Sequence, residues 1–243
     1  MKALILCAGY ATRMYPLTLD KPKPLLPVAG KPLVEHILAY LEHLADVDEI
    51  FIITNDTFYP RFAGWQATYR SPKAIRVLSD GTTSETTRLG AIGDMHFAIE
   101  QAMIHDNLLV IAGDNLFDFA LQSFIDFFRE RGPAVAVHDV HDLDLIRHYS
   151  EVRLDDRQRI VYFEEKPAAP QSTLAATCMY AFSRETLCFV KRYLAAGESP
   201  DQPGRYIKWL CARETVFGYV FPGTWYDIGD PDQYRLVNAV FGK

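Results

Sequence analysis

LCAGYATRMYPLTLDKPKPLLP, Leu6–Pro27, begins at the end of an apolar run near the start of the chain and decides how the rest is interpreted. The run stops at Gly9, and the residues after it include Arg13, Lys21 and Lys23 together with four prolines. Prolines fix φ and leave little room for a helix, so the cations lie on a stiff, irregular segment. Backbone N–H groups at a turn, with Arg and Lys nearby, suit phosphate oxygens. A solvated proline-rich loop explains the residue types equally well, because neither a Walker A motif nor a GxGxxG fingerprint is present.

The composition is that of one large globular domain. The chain has 243 residues, of which 49% are hydrophobic and 23% charged, which is ample for a core. A formal net charge of −6 argues against nucleic-acid binding but leaves a local cationic cleft open. The four cysteines form no CxxC pair, and the seven histidines show no metal-ligand spacing. No apolar run is long enough for a signal sequence or a membrane span, so we expect a cytoplasmic protein without membrane partners.

Short apolar runs alternate with segments of helical spacing through the first half of the chain. Continuous apolar strands between amphipathic helices predict βαβ units and a buried, mostly parallel sheet. The predicted strands are Ala3–Cys7, Ile50–Thr54, Ile75–Leu78, Asn107–Ile111 and Ala134–Val137, and the predicted helices are Leu33–Leu44, Leu89–Met103 and Leu121–Arg131.

The second half reads as an extension of the same sheet. Glu151–Leu154 and Ile160–Glu164 flank a charged turn and predict a hairpin. No proline- or glycine-rich linker interrupts the chain, so one domain over residues 1–243 is expected. The remaining predicted elements are strands at Thr177–Phe182 and Thr215–Val220 and helices at Arg184–Leu194, Gly204–Ala212 and Asp232–Phe241.

Three further segments with chemical character come directly after predicted strands or near the chain's end: Gly113-Asp114, Glu164–Pro167 and Trp225–Asp230. Ligands of open α/β sheets bind outside the carboxyl ends of the strands, so these segments and the opening loop should converge. Asp114 and Asp227 together could hold a divalent ion such as Mg²⁺ against a phosphate chain. An N-cap or Asx turn is the more common explanation of a lone Gly-Asp pair.

The charged side chains in these segments are expected to have different roles. Side chains alternate along a strand, so Glu165 is expected to face opposite to Glu164 and Lys166. One acid could then meet sugar hydroxyls and the lysine a phosphate, although solvated charges at a strand end are an equal alternative. Asp227 lies among aromatic and apolar residues, where a charge needs a partner or a metal, and is interpreted as functional. Asp230 precedes a proline and is interpreted as the N-cap of the last helix.

In this order and spacing the segments resemble the sugar-1-phosphate nucleotidyltransferase family, the nucleotide-sugar pyrophosphorylases such as glucose-1-phosphate thymidylyltransferase. The resemblance covers almost the whole chain. It implies an α/β fold, a Rossmann-like three-layer sandwich with a mostly parallel mixed central sheet and a sugar-side β-rich insertion. The family's LAAGxGTRxxPLT, KPxxP, GD, EEKP and WxDxG motifs are matched by Leu6–Thr18, Lys23–Pro27, Gly113-Asp114, Glu164–Pro167 and Trp225–Gly229.

The resemblance also implies a reaction. A nucleotidyl group would pass from a nucleoside triphosphate to a sugar 1-phosphate by Mg²⁺-dependent in-line attack, giving a nucleotide-sugar and pyrophosphate. Residues 1–140 would form the nucleotide-binding half and residues 141–243 the sugar-binding half, with no C-terminal β-helix domain. The implied roles are as follows: Arg13 and Lys23 catalytic; Asp114 and Asp227 on Mg²⁺; Glu165, Lys166 and Tyr180 on the sugar phosphate; and Leu6, Ala8, Gly9, Tyr10, Ala11, Thr12, Arg13, Thr83 and Gly90 on the nucleotide.

Four departures from the family pattern concern the substrates. Ala11 replaces the second glycine of the opening loop, which puts a methyl group where backbone approaches phosphate. Ser150 and Cys178 replace glycines on the sugar side, which predicts a tighter or unusual sugar pocket. Arg88–Met95 differs from the base-reading run of the thymidylyltransferases, and the base is left open.

Two alternatives belong to other functional classes. A CTP-dependent cytidylyltransferase acting on a non-sugar phosphate such as phosphocholine would keep the same cations and acids but would replace the sugar-side acid by an aromatic cage. A catalytically inactive nucleotide-binding regulator would not be expected to retain Arg13, Lys23, Asp114 and Asp227 together. A NAD-dependent oxidoreductase is disfavoured because GxGxxG is absent. A homo-oligomer is compatible with the sequence, which does not set the oligomeric state.

Overall fold

The computed structural model describes residues 1–241. Its strands are β1 (Lys2–Leu6), β2 (Pro27–Val28), β3 (Lys31–Pro32), β4 (Glu49–Thr54), β5 (Ala74–Ser79), β6 (Leu108–Ala112), β7 (Asn115–Phe117), β8 (Ala134–Asp139), β9 (Ser150–Leu154), β10 (Ile160–Glu165), β11 (Leu174–Phe182), β12 (Phe217–Val220) and β13 (Trp225–Asp227).

Eight α-helices and three short 3₁₀ helices accompany the strands in this part of the chain. The α-helices are α1 (Leu33–His43), α2 (Tyr59–Thr68), α3 (Ala91–Gln101), α4 (Leu121–Arg131), α5 (Leu143–Ile146), α6 (Cys188–Ala195), α7 (Pro203–Cys211) and α8 (Pro231–Phe241). The 3₁₀ helices are Thr12–Met14, Lys23–Leu25 and Arg184–Leu187.

Within residues 1–241 the main sheet has nine strands, with β10-β9-β11-β6-β1-β4-β5 in sequence across it and β8 and β12 attached beside β11. β6, β1, β4 and β5 are parallel, as βαβ crossovers require. β11 is antiparallel to β6, β8 and β9, and β9 is antiparallel to β10. The mostly parallel mixed sheet that the sequence predicts is therefore confirmed.

Helices cover both faces of the sheet and make three layers. Ala3 and Ile5 of β1 pack into one core with α1, α2 and α4, whereas Leu4 between them packs into a second core with α3, α6 and α7. All three side chains are fully buried, because successive side chains of a strand point to opposite faces and both faces are covered. This is why β1 is a continuous apolar run rather than an alternating one.

Most predicted elements are present with ends shifted by one to three residues. The helix predicted from Leu89 begins at Ala91, because Gly90 has φ 79° and a Cβ there would lie 2.7 Å from the Cα of Asp201. The helix predicted from Arg184 begins with a 3₁₀ turn before α6. Helix α2 and the short pair β7–β13 have no counterpart among the predictions.

No helix in residues 1–241 is both long enough and apolar enough to cross a membrane.

Candidate active site

A cleft of about 630 Å³ lies at the carboxyl ends of β1 and β6. The opening loop, Asp114, the end of β10 and the β13 segment all contribute to its wall, so the four segments singled out in the sequence converge. The predicted residues that line the cleft are Leu6, Ala8, Gly9, Tyr10, Ala11, Thr12, Arg13, Lys23, Gly90, Asp114, Glu165, Lys166, Tyr180 and Asp227.

Hydrogen bonds fix the path of the opening loop. Asn55 Nδ2 donates to the Ala8 carbonyl at 2.9 Å, and the Thr18 hydroxyl donates to the Ala11 carbonyl at 2.8 Å. Met14 is fully buried and anchors the 3₁₀ turn from below. The loop is therefore held in place by the protein itself, which lowers the entropy lost when a ligand binds.

The left-handed conformation in this loop belongs to Ala11 and not to Gly9. Gly9 does not have a positive φ, and a Cβ on it would meet no atom of residues 1–241 within 4 Å. Ala11 has φ 49° and ψ 43°, which is the left-handed region that favours glycine. Cys178, which also replaces a family glycine, has φ 54°. Gly9 therefore leaves space at the cleft, whereas Ala11 makes the turn.

Ala11→Gly is expected to raise the free energy of unfolding by up to about 1 kcal/mol, because a left-handed non-glycine residue costs about 1–2 kcal/mol and glycine loses part of that in chain entropy. Urea unfolding of the two proteins measures the difference. Ala45→Gly is the control: Ala45 is an exposed turn residue whose φ is not positive, and its replacement should destabilise slightly. An Ala11→Gly variant destabilised as much as the control would contradict the interpretation.

Two carboxylates and a lysine meet at the centre of the cleft. Antiparallel pairing of β13 with β7 sets Asp227 opposite Asn115, the residue after Asp114. Lys23 Nζ lies 2.5 Å from Asp114 Oδ2 and donates at 2.8 Å to the Ile228 carbonyl. Burial and the neighbouring Asp114 raise the pKa of Asp227, while the charges of Lys23, Arg13 and Lys166 lower it. Charge of both signs is thus concentrated in one place.

This donor set fits a magnesium ion that phosphate helps to bind. Mg²⁺ prefers one or two carboxylates together with phosphate oxygens and water. In residues 1–241 no group of three or more His, Cys, Asp or Glu side chains gathers into a site of its own. Asp114 and Asp227 would therefore hold the ion only with a phosphate ligand supplied by a substrate.

The end of β10 partly contradicts the predicted alternation of side chains. Glu164 pairs with Lys208 away from the cleft, whereas Glu165 lines it, so these two face opposite ways as expected. Lys166 was expected opposite to Glu165 but lines the same cleft, because its φ of 48° breaks the strand alternation. The Ser150 hydroxyl donates to Glu165 Oε2, so the serine orients the acid. Ser150 thus contacts an acid that lines the cleft, and its predicted effect on a sugar pocket stays a prediction.

Of the remaining predicted residues, Tyr180 lines the cleft and Thr83 does not. Tyr180 is only 3% exposed and forms the inner wall. Thr83 does not line the cleft, and its carbonyl accepts a hydrogen bond from the Thr57 hydroxyl at 3.2 Å. The hydroxyl of the preceding residue, Thr82, lies 3.2 Å from the hydroxyl of Tyr10, which lines the cleft. Asp230 accepts from the backbone N–H groups of residues 232 and 233, as an N-cap does.

Asn115 and Asp94 are two of several cleft residues that were not singled out from the sequence. Asn115 is buried and links three strands, donating to the Thr177 carbonyl at 2.6 Å and accepting from Trp225 Nε1 at 3.0 Å. Asp94 lies in the first turn of α3 and faces the cleft near Asp201 and Arg88. An acid within the apolar stripe of a predicted helix was the available signal for Asp94.

Asp94 should make the protein less stable as pH rises. Burial above all, together with the nearby Asp80 and Asp201, raises its pKa to about 8. Since the unfolded pKa is about 3.9, the stabilisation is complete below that pH and is lost as pH rises through about 8. The free energy of unfolding should fall by up to about 1.4 kcal/mol per pH unit in this window.

Urea unfolding between about pH 5 and pH 8 measures this slope. Asp94→Asn removes the titrating group, so its curve should be flatter than that of the unaltered protein. Parallel curves for the two proteins would contradict the assignment.

The chain matches the family model described as nucleotidyl transferase over residues 2–241. It belongs to the nucleotidyl transferase family. The family membership inferred from the motifs, that of sugar-1-phosphate nucleotidyltransferases, is confirmed.

Named relatives agree with this membership. The bifunctional protein GlmU of Methanocaldococcus jannaschii is 30% identical over 233 residues, covering 95% of this chain and 52% of the relative. The UTP–glucose-1-phosphate uridylyltransferase of a Synechocystis species is 30% identical over 261 residues, covering 100% of this chain and 64% of the relative. This nucleotidyl transferase chain thus spans about half to two thirds of the length of the curated relatives it matches.

A solved structure supports the fold. A Bacillus anthracis protein provisionally assigned as a glucose-1-phosphate thymidylyltransferase, crystallised with sucrose, superimposes with a TM-score of 0.81. The match covers 100% of this chain and 96% of the other at 23% identity. The nucleotidyltransferase fold predicted from the sequence is therefore confirmed.

Proposed function

We propose that the cleft transfers a nucleotidyl group from a nucleoside triphosphate to a sugar 1-phosphate, releasing pyrophosphate and forming a nucleotide-sugar. One observation carries the proposal: Asp114 and Asp227 meet Lys23 in a cleft that Arg13 and Lys166 also line. Two acids among three cations suit a reaction between two phosphate-bearing substrates. Residues 1–140 would bind the nucleotide and residues 141–243 the sugar phosphate.

The chemistry needs positioning rather than a covalent intermediate. An oxygen of the sugar phosphate attacks the α-phosphorus in line, the new P–O bond forms, and the bond to the leaving pyrophosphate breaks with its electron pair. Lys23 and Arg13 stabilise the negative charge that moves onto the phosphates, and Lys166 holds the attacking phosphate. Bound Mg²⁺ would supply further charge neutralisation at the carboxylates of Asp114 and Asp227.

Glu165 favours a sugar over phosphocholine as the acceptor. Its carboxylate lines the cleft and is oriented by Ser150, which suits sugar hydroxyls. A quaternary ammonium group would instead need an aromatic cage at this position. The names of the relatives differ in the base, uridylyl in one and thymidylyl in another, so they do not choose the nucleotide.

A substrate matrix tests the proposed function. Each of five nucleoside triphosphates is combined with several sugar 1-phosphates and with phosphocholine, and pyrophosphate release is measured with Mg²⁺. Release with at least one sugar 1-phosphate, and none without an acceptor, is expected. Release only with phosphocholine would support the cytidylyltransferase alternative. Nucleotide binding without release from any pair would support the inactive regulator.

A further inference from the structure

The loop between α6 and α7, residues 196–202, is bound to the segment that precedes α3. The Arg88 guanidinium donates from Nε to Asp201 Oδ1 at 3.0 Å and from Nη2 to Asp201 Oδ2 at 2.9 Å. Paired bonds between a guanidinium and a carboxylate fix the direction of both groups as well as their distance. Both side chains line the cleft, although they are 113 residues apart in the chain. This pair, the clasp, therefore joins two distant parts of the chain at the cleft.

Backbone contacts hold the same junction. The Pro200 carbonyl accepts a hydrogen bond from the N–H of Ile92 at 2.8 Å and so satisfies a donor that the first turn of α3 leaves free. Gly90 packs against the loop so closely that a Cβ on it would lie 2.7 Å from the Pro200 oxygen. Residues 200 and 201 therefore take their position from the start of α3, and the clasp secures them at the cleft.

The junction lies three residues before the contact that holds Glu165. Helix α7 begins at Pro203, and a Cβ on the next residue, Gly204, would overlap Glu165 Oε2. The carboxylate thus rests on the backbone of the first turn of α7, where the helix dipole favours a negative charge. The Ser150 hydroxyl donates to the same oxygen. A shift of the first turn of α7 would therefore move this acid.

We propose that Asp201 is a positioning residue: through Arg88 it fixes the first turn of α7 and, with it, the Glu165 carboxylate that receives the acceptor. The inference rests on the proposed function, in which Glu165 meets hydroxyl groups of the sugar. Arg88 has its partners within the protein, because Nε and Nη2 bond to Asp201 while Nη1 pairs with Glu85. In the proposed division of the chain, the clasp links the nucleotide half to the acid of the sugar half.

Kinetics with the two substrates varied separately tests the clasp. Pyrophosphate release gives kcat and both KM values for the unaltered protein, Asp201→Asn, Arg88→Gln and the exchange of Arg88→Asp with Asp201→Arg. Each single variant should raise KM for the sugar 1-phosphate about three- to fivefold, the worth of a partly exposed ion pair, and change KM for the triphosphate less than about twofold. The charge exchange should bring KM for the sugar 1-phosphate back to within about twofold of the unaltered protein.

Asp126→Asn is the matched control. Asp126 is an exposed aspartate of α4 that also pairs with an arginine, Arg129, and it does not line the cleft. Its replacement should leave both KM values unchanged. A rise in KM for the triphosphate alone in Arg88→Gln would assign Arg88 to the nucleotide and overturn the proposal. An unchanged KM for the sugar 1-phosphate in Asp201→Asn, or no recovery on charge exchange, would also overturn it.

Gly204→Ala tests the last step, from α7 to Glu165. Alanine suits a helix better than glycine, and its methyl group would meet the ends of the Glu165 and Ser150 side chains, which can move. The variant should stay folded while the carboxylate is displaced, and KM for the sugar 1-phosphate should rise about 10- to 100-fold. Gly64→Ala in α2 is the control, since a Cβ there would meet no atom of residues 1–241 within 4 Å. Equal kinetics in the two alanine variants would overturn the proposal.

Hydrogen exchange of the backbone amides in residues 198–204 provides a readout without turnover. Exchange in this segment should be faster in Asp201→Asn and in Arg88→Gln than in the unaltered protein or in Asp126→Asn. Unchanged exchange would show that the clasp does not hold the loop and would overturn the proposal. If no pair of substrates releases pyrophosphate, the proposed function fails, whereas faster exchange in the two variants still supports the clasp. Thermal unfolding shows that each variant is folded.

Discussion

Asp227→Asn is expected to lower kcat about 100- to 1,000-fold while the protein remains folded. The Asp227 carboxylate faces Asp114 across the cleft centre and would supply half of the protein's ligands to Mg²⁺. Asparagine keeps the shape but loses the charge, and removal of one electrostatic contributor to a transition state costs about this much. Pyrophosphate release at saturating substrates and varied Mg²⁺ measures the loss, which added Mg²⁺ should restore only in part.

The stability of the same variant separates a functional role from a structural one. Since burial and Asp114 raise the pKa of Asp227, its charge opposes folding at neutral pH. Asp227→Asn should therefore leave the free energy of unfolding unchanged or increase it. Asp232→Asn, an exposed aspartate of α8 that pairs with Arg235, is the matched control and should retain full activity. Full activity in Asp227→Asn, or loss of stability together with activity, would contradict the assignment.

Lys23→Gln should cause the second large loss, again about 100- to 1,000-fold in kcat. Lys23 is held by Asp114 at 2.5 Å and by the Ile228 carbonyl at 2.8 Å, with only 13% of its side chain exposed. Glutamine leaves two neighbouring carboxylates without their cation and removes positive charge from the transferring phosphate. Lys23→Arg should not restore activity, because a planar guanidinium cannot occupy the position of a compact ammonium.

Lys21→Gln is the control for this variant. Lys21 lies two residues away, is exposed and does not line the cleft, so its loss should change kcat less than about twofold. Steady-state kinetics of both variants measure the two losses in kcat. Equal losses from Lys21→Gln and Lys23→Gln would show that the general charge of the loop, and not the position of Lys23, is what counts.

The parts of the fold that were predictable are those that packing controls. β1 and β6 are buried on both faces, so their sequences are apolar throughout and can be recognised locally. Helix α2 escaped prediction because only Phe62 of it is buried, and Pro60 and Gly64 weaken its helical pattern. The pair β7–β13 escaped because three-residue strands carry no periodicity, and its partners are far apart in the chain.

The candidate site was predictable where a charged residue follows soon after a recognisable strand. Arg13, Lys23 and Asp114 follow strands and line the cleft as expected. The direction of Lys166 was not predictable, because its positive φ depends on the end of β10 and not on residue type. Asp94 was hidden because its raised pKa comes mainly from burial and then from Asp80, and both arise only after α3 has packed onto the sheet.

Phosphorus NMR of the products tests the central claim most directly. The protein is incubated with Mg²⁺, a nucleoside triphosphate and the sugar 1-phosphate that releases most pyrophosphate. We predict that the sugar phosphate resonance is replaced by the two coupled resonances of a nucleotide-sugar diester, in equal amount to free pyrophosphate. Pyrophosphate accompanied by nucleoside monophosphate, with the sugar 1-phosphate unchanged, would mean hydrolysis and would contradict transfer to a sugar.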